Sequence, residues 1–398
     1  MKIRKIRRYQ KKLKLALLSL CALFTLTGCW DRVDIEDRGF VIAMAIDMDE
    51  NGRYVLTEQI AIPGSQSTSG NGNTGGGSQN EAFFNVVGKG HSIMDIIRES
   101  TAKTSRTPYY EHVKVIIVSK KVAQSPAFDD SIDYFIRSPE MRRGTKVMIT
   151  NKIAGKILNN TPPGATIPGL YIDQITQNPY RNERVIPATR IGDVNESLYR
   201  ENSFMIQYIS ADQNILNIEG AAVFHGNTTE LASLLTPRQT AGINYLKGEA
   251  RGGTISSKYQ GHEVSLLVKN SERKIQLLDA KDPTHMSFKI TMNIDGLLLE
   301  TGTSLNFING HSRDNIQRRL ERTVDANNRR TLHVLQQDLN ADVIGLSDYL
   351  RIHNWDLWQK IQNHWDSGGT YFKNADIQLE THLFIRNTGT INRTKKQN

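Results

Sequence analysis

The tetrapeptide Leu26-Thr27-Gly28-Cys29 constrains this chain most, because it decides where the rest must fold and with which side chains. Eight basic residues crowd the first fourteen positions, and no acid appears before Asp31. An apolar run from Leu15 to Leu26 follows, too short to span a bilayer as a helix. Small residues ahead of a cysteine fit a peptidase cleft, and the thiol behind it can take a thioether-linked diacylglycerol. The pattern predicts a lipoprotein signal peptide over 1–28, cleavage after Gly28, and Cys29 as S-diacylglycerol cysteine with its new amino group open to N-acylation. An uncleaved N-terminal anchor is the alternative. Two acyl chains hold a protein stably at a bilayer where one does not.

That leader explains the apparent basicity. The formal charge is +9, but removing its 8 of the 50 basic residues leaves 42 against 41 acids. No global positive field argues for nucleic acid. Both cysteines are consumed as well. Cys21 leaves with the leader and Cys29 carries lipid, so no thiol remains for a disulfide, a metal or a nucleophile. An exported body without disulfides must be held by packed cores. The remaining 370 residues, 29–398, suggest two or three domains, and no second apolar run approaches spanning length.

Phe40–Ile46 (FVIAMAI) reads as a buried strand, Asp49–Gly52 as a turn, and Arg53–Ile62 as the returning strand. Residues 63–80 are Gly, Ser, Asn and Gln with nothing to bury, a flexible loop. Further strands are expected at Phe83–Val87, Val113–Ser119 and Lys146–Thr150. Helical faces are expected over His91–Ser105, after a cap at Asp129 or Asp130, and over Lys152–Leu158. Thr161–Arg200 holds five prolines and reads as a long connection, with room for an ordered excursion. Ile215–Phe224 opens a sheet-rich segment, and Leu231–Leu246 is partly helical. Val264–Val268 and Lys274–Leu278 are expected to flank a polar turn. Phe288, Ile290, Met292 and Ile294 alternate as a half-buried strand, and so do Ile377, Leu379, Thr381, Leu383 and Ile385. Between them a long helix is expected from Ser312 to about Leu339, with Ile316, Leu320, Val324, Thr331 and Leu335 on one stripe.

The expected fold is therefore α+β and mixed α/β: several domains, mostly antiparallel sheets packed with helices, and a long helix in the C-terminal domain. The boundaries expected are 29–200 for a mixed α/β domain, with its loop at 63–80 and Pro-rich connection at 161–200. An α+β region follows at 201–398, divisible into 201–260 and 261–398.

Motifs that would carry chemistry are weak here. Asp47, Asp49, Asn51, Gly52 and Glu58 satisfy the calcium-loop spacing of an EF-hand, but the flanks are β-rich and a hairpin turn is the reading preferred. Ser271-Glu272-Arg273-Lys274 matches S-x-x-K without a KTG partner, and is read as a solvated turn. His262-Glu263 lacks the second histidine of a zinc helix, and the Gly-rich loop lacks GK[ST]. Catalytic, metal and cofactor-binding residues are therefore expected to be none. Trp355, Trp358 and Trp365, spaced for one helical face, are read as packing against the C-terminal domain, with an interaction surface as the alternative.

Three sets of residues carry a resemblance. They are Gly28-Cys29-Trp30-Asp31 with Asp34-Ile35 and Ala45-Ile46-Asp47; Ile218-Glu219-Gly220-Ala221-Ala222-Val223-Phe224 with Leu234-Leu235 and Gly242; and Asp338, Asp342, Gly345-Leu346, Tyr349-Leu350, Trp355, Trp358, Ile361 and Trp365 with the ending Ile385-Arg386-Asn387-Thr388-Gly389. In these the chain resembles the Ger(x)C family of spore germination lipoproteins, the C subunits of nutrient germinant receptors. It departs from the pattern in the long 63–80 insertion and in His353-Asn354, where a proline often precedes the first tryptophan. The resemblance implies a non-enzymatic subunit lipid-anchored on the outer face of the spore inner membrane. Its implied partners are the A subunit, the integral B subunit and the bilayer itself, and a small-molecule germinant would act at the level of the complex. The other functional reading is a lipid-anchored extracytoplasmic solute-binding protein.

Overall fold

A computed structural model describes residues 12–16, 34, 37–62, 82–177, 182–213, 215–300, 310–366 and 368–387. Cys29, Gly28 and the 63–80 loop lie outside the described residues.

The first half is built from β1 (Arg38–Met48), β2 (Tyr54–Ala61), β3 (Phe83–Gly90), α1 (Ile93–Ser100), β4 (Thr107–Tyr109), β5 (Val115–Ser119), α2 (Ala127–Arg137), β6 (Lys146–Thr150), α3 (Ala154–Ile157), α4 (Pro168–Ile175), α5 (Ile191–Tyr199), β7 (Phe204–Tyr208), a small hairpin of β8 (Ser210–Asp212) and β9 (Ile215–Asn217), β10 (Ala221–Phe224) and β11 (Leu231–Leu235). Its main sheet runs β11-β10-β7-β6-β5-β1-β2-β3, with β4 beside the start of β1. The centre is parallel, from β1 through β5 and β6 to β7; the pairs at both edges are antiparallel.

This topology explains why β1 reads as a continuous apolar run. Parallel strands are covered on both faces. Met44 and Ile46 belong to the core under α1 and α2, while Ala43 and Ala45 belong to the core under α3 and α4. The alanines let the second layer come close: a Cβ on Gly169 of α4 would stand 2.6 Å from that of Ala43. Gln59, fully buried, ties this layer down by donating to Leu158 O at 2.8 Å and accepting from Gly169 N at 2.8 Å.

Several expectations are corrected here. Thr161–Arg200 takes the ordered course that its reading left open, holding α4 and α5; Pro168 sits at the start of α4, where its missing N–H costs nothing. Neither Asp129 nor Asp130 caps α2. Pro126 is the N-cap, and the two acids lie in the first turn, where the helix dipole favours them. Three strands of the first sheet, β7, β10 and β11, come from beyond residue 200.

The second half comprises α6 (Pro237–Lys247), β12 (Thr254–Tyr259), β13 (His262–Asp279), β14 (Ser287–Glu300), α7 (Gly310–His333), α8 (Leu346–His353), α9 (Trp355–Ile361) and β15 (Asp376–Asn387). The sheet order is β12-β13-β14-β15, with β15 parallel to β14 because the helices lie between them in sequence. The expected turn within 264–278 is absent. β13 is one strand of 18 residues that absorbs its polar centre through bulges against β14. Ile316, Leu320, Val324, Thr331 and Leu335 are all buried along one side of the long helix. The last turns, Val334–Leu339, widen to π geometry, and Gln336 there donates to Phe372 O and Ala375 O. At roughly 1.5–3 kcal/mol for each large side chain removed from water, that stripe rather than the polar composition of α7 holds the helix in place. No described helix is long and apolar enough to cross a membrane.

Candidate functional site

The residues that motif reasoning singled out near the C-terminus converge on one buried polar cluster between the halves. After α7, Asn340 adopts a left-handed conformation and the chain folds back through Asp342 into Gly345, also left-handed at φ 79°, before α8 begins. A turn this tight leaves the first N–H groups of α8 without intrahelical partners. Asp342 supplies acceptors for three of them. Its Oδ1 accepts from Gly345 N (2.9 Å) and Leu346 N (3.2 Å), and its Oδ2 accepts from Ser347 N (2.6 Å). Oδ2 also accepts from Trp365 Nε1 at 2.8 Å. Trp365 stacks edge-on to Trp358 and Phe288, so one carboxylate organises the aromatic core as well as the helix.

Asp366 extends the cluster to the first half. Its Oδ2 accepts from Asp342 N (3.0 Å) and from Ser203 Oγ (2.6 Å), just ahead of β7. Burial pushes the Asp366 carboxyl up to about 6, and the neighbouring Asp342 charge adds to the rise. Arg273 enters from the middle of β13, donating through Nη1 to Leu246 O at 3.1 Å and to Ile344 O. It brings a positive charge beside Asp342, and burial lowers its pKa from the usual arginine range.

Other sequence candidates are dispersed. The calcium-loop oxygens point to different partners. Asp47 caps α3 by accepting from Ala154 N and Gly155 N at 2.8 and 2.9 Å, Asp49 holds Arg53 across the β1–β2 turn, and Glu58 accepts from Tyr110 Oη at 2.5 Å. Met48 pairs with Tyr54, so the segment is the hairpin preferred from its flanks. Ser271 is buried mid-strand rather than in a solvated turn. Of the three tryptophans, Trp358 and Trp365 are buried, but Trp355 is 50% exposed; the chain leaves α9 for a 3-10 turn at Gln362, so the three do not share a helical face. Among the described residues no group of His, Cys, Asp and Glu is placed to hold a metal.

Sequence reasoning quoted Asp342 and Trp365 without a role and missed Ser203, Arg273 and Asp366. Arg273 stands in the polar run Ser271–Lys274, which reads locally as a turn, and no local signal marks Ser203 or Asp366. Chemically the cluster is a lock: every Asp342 and Asp366 contact described ends on a backbone N–H, a hydroxyl or an indole. Beside it, Tyr199, Arg200, Asn202, Arg351, Trp355 and Trp358 line an open cleft of about 620 Å³.

Two family profiles together cover these halves. One described as "Spore germination protein N-terminal domain" matches residues 31–211, and one described as "Spore germination B3/ GerAC like, C-terminal" matches residues 219–389. They meet around the β8–β9 hairpin, so the second profile contributes β10 and β11 to the first sheet. The chain is 30% identical to Spore germination protein A3 of Bacillus subtilis (strain 168), over 95% of this chain and 98% of that one. It is 28% identical to Spore germination protein B3 of the same organism, over 93% and 96%. A solved structure, "Crystal Structure of the GerBC protein", shares the fold with a TM-score of 0.58 at 23% identity, covering 89% of this chain and 100% of that one. With both halves matched, and with a 30% identical germination protein aligned along nearly its whole length, the chain belongs to the Ger(x)C family of spore germination proteins.

Proposed function

We propose that this protein is a membrane-anchored lipoprotein subunit of a spore nutrient germinant receptor, needed for nutrient-triggered germination and acting through protein contacts rather than catalysis. Processing after Gly28 would leave Cys29 as the diacylglyceryl residue, holding the body on the outer face of the membrane beside the receptor's A and B subunits. The observation that carries this reading is the match along nearly the full length of germination proteins A3 and B3, joined to the structural use of the quoted motif residues. Asp342 and Trp365 are spent on holding the C-terminal half together, and Asp366 ties that half to Ser203 of the first, which suits a rigid docking body.

The deciding experiment is Cys29→Ala in sporulating cells. The protein should leave the membrane fraction or be degraded, the nutrient response should fall, and the unmodified protein should co-purify with A-like and B-like subunits. Normal germination with a fully soluble form overturns the anchor, and failure to recover either subunit overturns the receptor reading.

The solute-binding alternative is favoured by one feature. A cleft of about 450 Å³ between the halves is lined by Glu183, Arg184, Arg238 and Tyr245, and the buried Tyr245 hydroxyl has no hydrogen-bond partner. Saturable uptake of a candidate nutrient by the isolated body in calorimetry would establish it.

A further inference from the structure

The sheet topology gathers a set of exposed side chains at one end of the molecule. β1, β5, β6 and β7 are parallel, so all four begin at the same end of the first sheet. β4 lies there too, pairing with Arg38–Phe40 at the start of β1. The residues that lead into these strands are rich in cations. Lys103 and Arg106 precede β4, Lys114 precedes β5, Arg142 and Arg143 precede β6, and Arg190 bridges to Lys146 at the start of β6. All are exposed except Arg106, which is half-buried. Acids stand among them and are mostly engaged: Glu99 pairs with Lys103 at 3.9 Å and Glu196 with Arg200 at 2.6 Å. Glu111 pairs with Arg142 at 3.4 Å, Asp193 accepts from the Arg190 backbone N–H, and Asp37 and Glu140 are exposed.

Large apolar side chains stand exposed at the same end. Tyr199 is 89% exposed at the close of α5, a few residues before β7 begins. The Arg200–Asp348 ion pair, 3.7 Å, places α8 beside it, and there Ile352 is 67% and Trp355 50% exposed. A rim of Trp, Tyr and Ile beside lysines and arginines is the composition of a surface that rests in a lipid interface.

The tether enters here as well. Eight residues separate Cys29 from Arg38, a span of at most about 32 Å even fully extended. We infer that this end of the first sheet, with the Tyr199–Ile352–Trp355 rim, is a membrane-apposed face that docks onto an anionic bilayer surface. The inference builds on the lipid-anchor reading, but its test does not use the lipid. Lysines and arginines at such a surface gain from the negative headgroup potential, and the gain is screened by salt within a Debye length.

The test uses the chain from residue 29 with Cys29→Ser, sedimented with phosphatidylcholine vesicles that contain or lack about one-third phosphatidylglycerol. The protein should bind the anionic vesicles at low salt, bind the neutral ones poorly, and be released by high salt. Lys114→Glu with Arg143→Glu, both at exposed positions, should weaken binding by about tenfold or more while leaving the melting curve unchanged. In a chain that also carries Trp30→Phe, brominated lipid should quench tryptophan emission, and Trp355→Phe should remove most of that quenching, because the two remaining tryptophans, Trp358 and Trp365, are buried. No binding to anionic vesicles at low salt, or unaltered binding by the charge-reversed variant, overturns the proposal and points to a protein as the face's occupant. A Cys29 that carries no lipid in cells overturns the anchor alone.

Discussion

Trp365 donates its indole N–H to Asp342 at 2.8 Å across 23 positions of sequence, and the same carboxylate caps α8. Asp342 is 3% exposed, so its oxygens have little recourse to water if their partners are lost, and its partners have little if Asp342 is lost. Asp342→Ala should therefore lower the stability of the C-terminal half by about 3 kcal/mol, with Asp342→Asn costing less because one acceptor oxygen remains. Tryptophan emission during urea unfolding reads this half directly, since Trp358 and Trp365 pack within it. A wild-type midpoint for Asp342→Ala would show that the cap carries no stability.

Asp366 makes stability depend on pH with a defined sign. Its carboxyl titrates at about 6 in the folded protein against an ordinary value of 3.8. Below about pH 4 it is protonated in both states and its contribution is fully present. As pH rises through about 6 the unfolded chain has ionised first, and that contribution, up to roughly 2–3 kcal/mol, is lost. Asp366→Asn keeps an acceptor for Ser203 and for Asp342 N. It should flatten stability between pH 4 and 6 relative to wild type, measured as urea midpoints at several pH values. An unchanged slope would assign the dependence to other buried acids such as Glu58 and Glu183, which burial also raises.

Gly242 of α6 packs directly against Thr331 of α7. A Cβ placed there would stand 2.3 Å from Thr331 Oγ1 and 2.9 Å from Thr331 Cβ. Gly242→Ala should cost about 1–3 kcal/mol through forced separation of the helices, exceeding the gain of about 1 kcal/mol in helix propensity. Thr331→Ala in the same chain should restore part of the loss. A stabilised Gly242→Ala protein in thermal melts would show that the crossing has slack.

Calcium should leave the melting temperature unchanged, because the oxygens of its apparent loop serve three separate contacts. Asp47→Ala should cost about 1–2 kcal/mol with or without the ion, by removing the cap on α3. Micromolar calcium binding that disappears in Asp47→Ala would overturn this.

Much of the fold was legible where a single element decides its own pattern. Period-two alternation over 288–294 and 377–385 and the α7 stripe reappear in place, because one face of each meets a core and the other meets solvent or the opposite layer. The β1–β2 hairpin was legible for the same reason, since flanking β-branched residues outweigh a spacing match. Where the reading failed, a distant partner decided. The polar centre of β13 suggested a turn, but pairing with β14 along its length gives the backbone its hydrogen bonds and keeps it extended. The prolines of 161–200 left the order of that connection open, and Pro168 starts a helix once Gln59 offers Gly169 N an acceptor.

The candidate site divides in the same way. The sequence by itself determined the expectation of a leader, the balance of charge behind residue 28, the count of two cysteines and the positions of Asp342, Gly345 and Trp365. It did so because compartment signals and turn residues act over a few neighbouring positions. Only the tertiary structure decided that Asp342 and Asp366 form the lock between the halves, that Arg273 reaches it from β13, and that cations preceding separate strands share one end of a sheet. Those relations join residues tens to more than a hundred positions apart, and they exist only once parallel pairing and the burial of two cores have set the register.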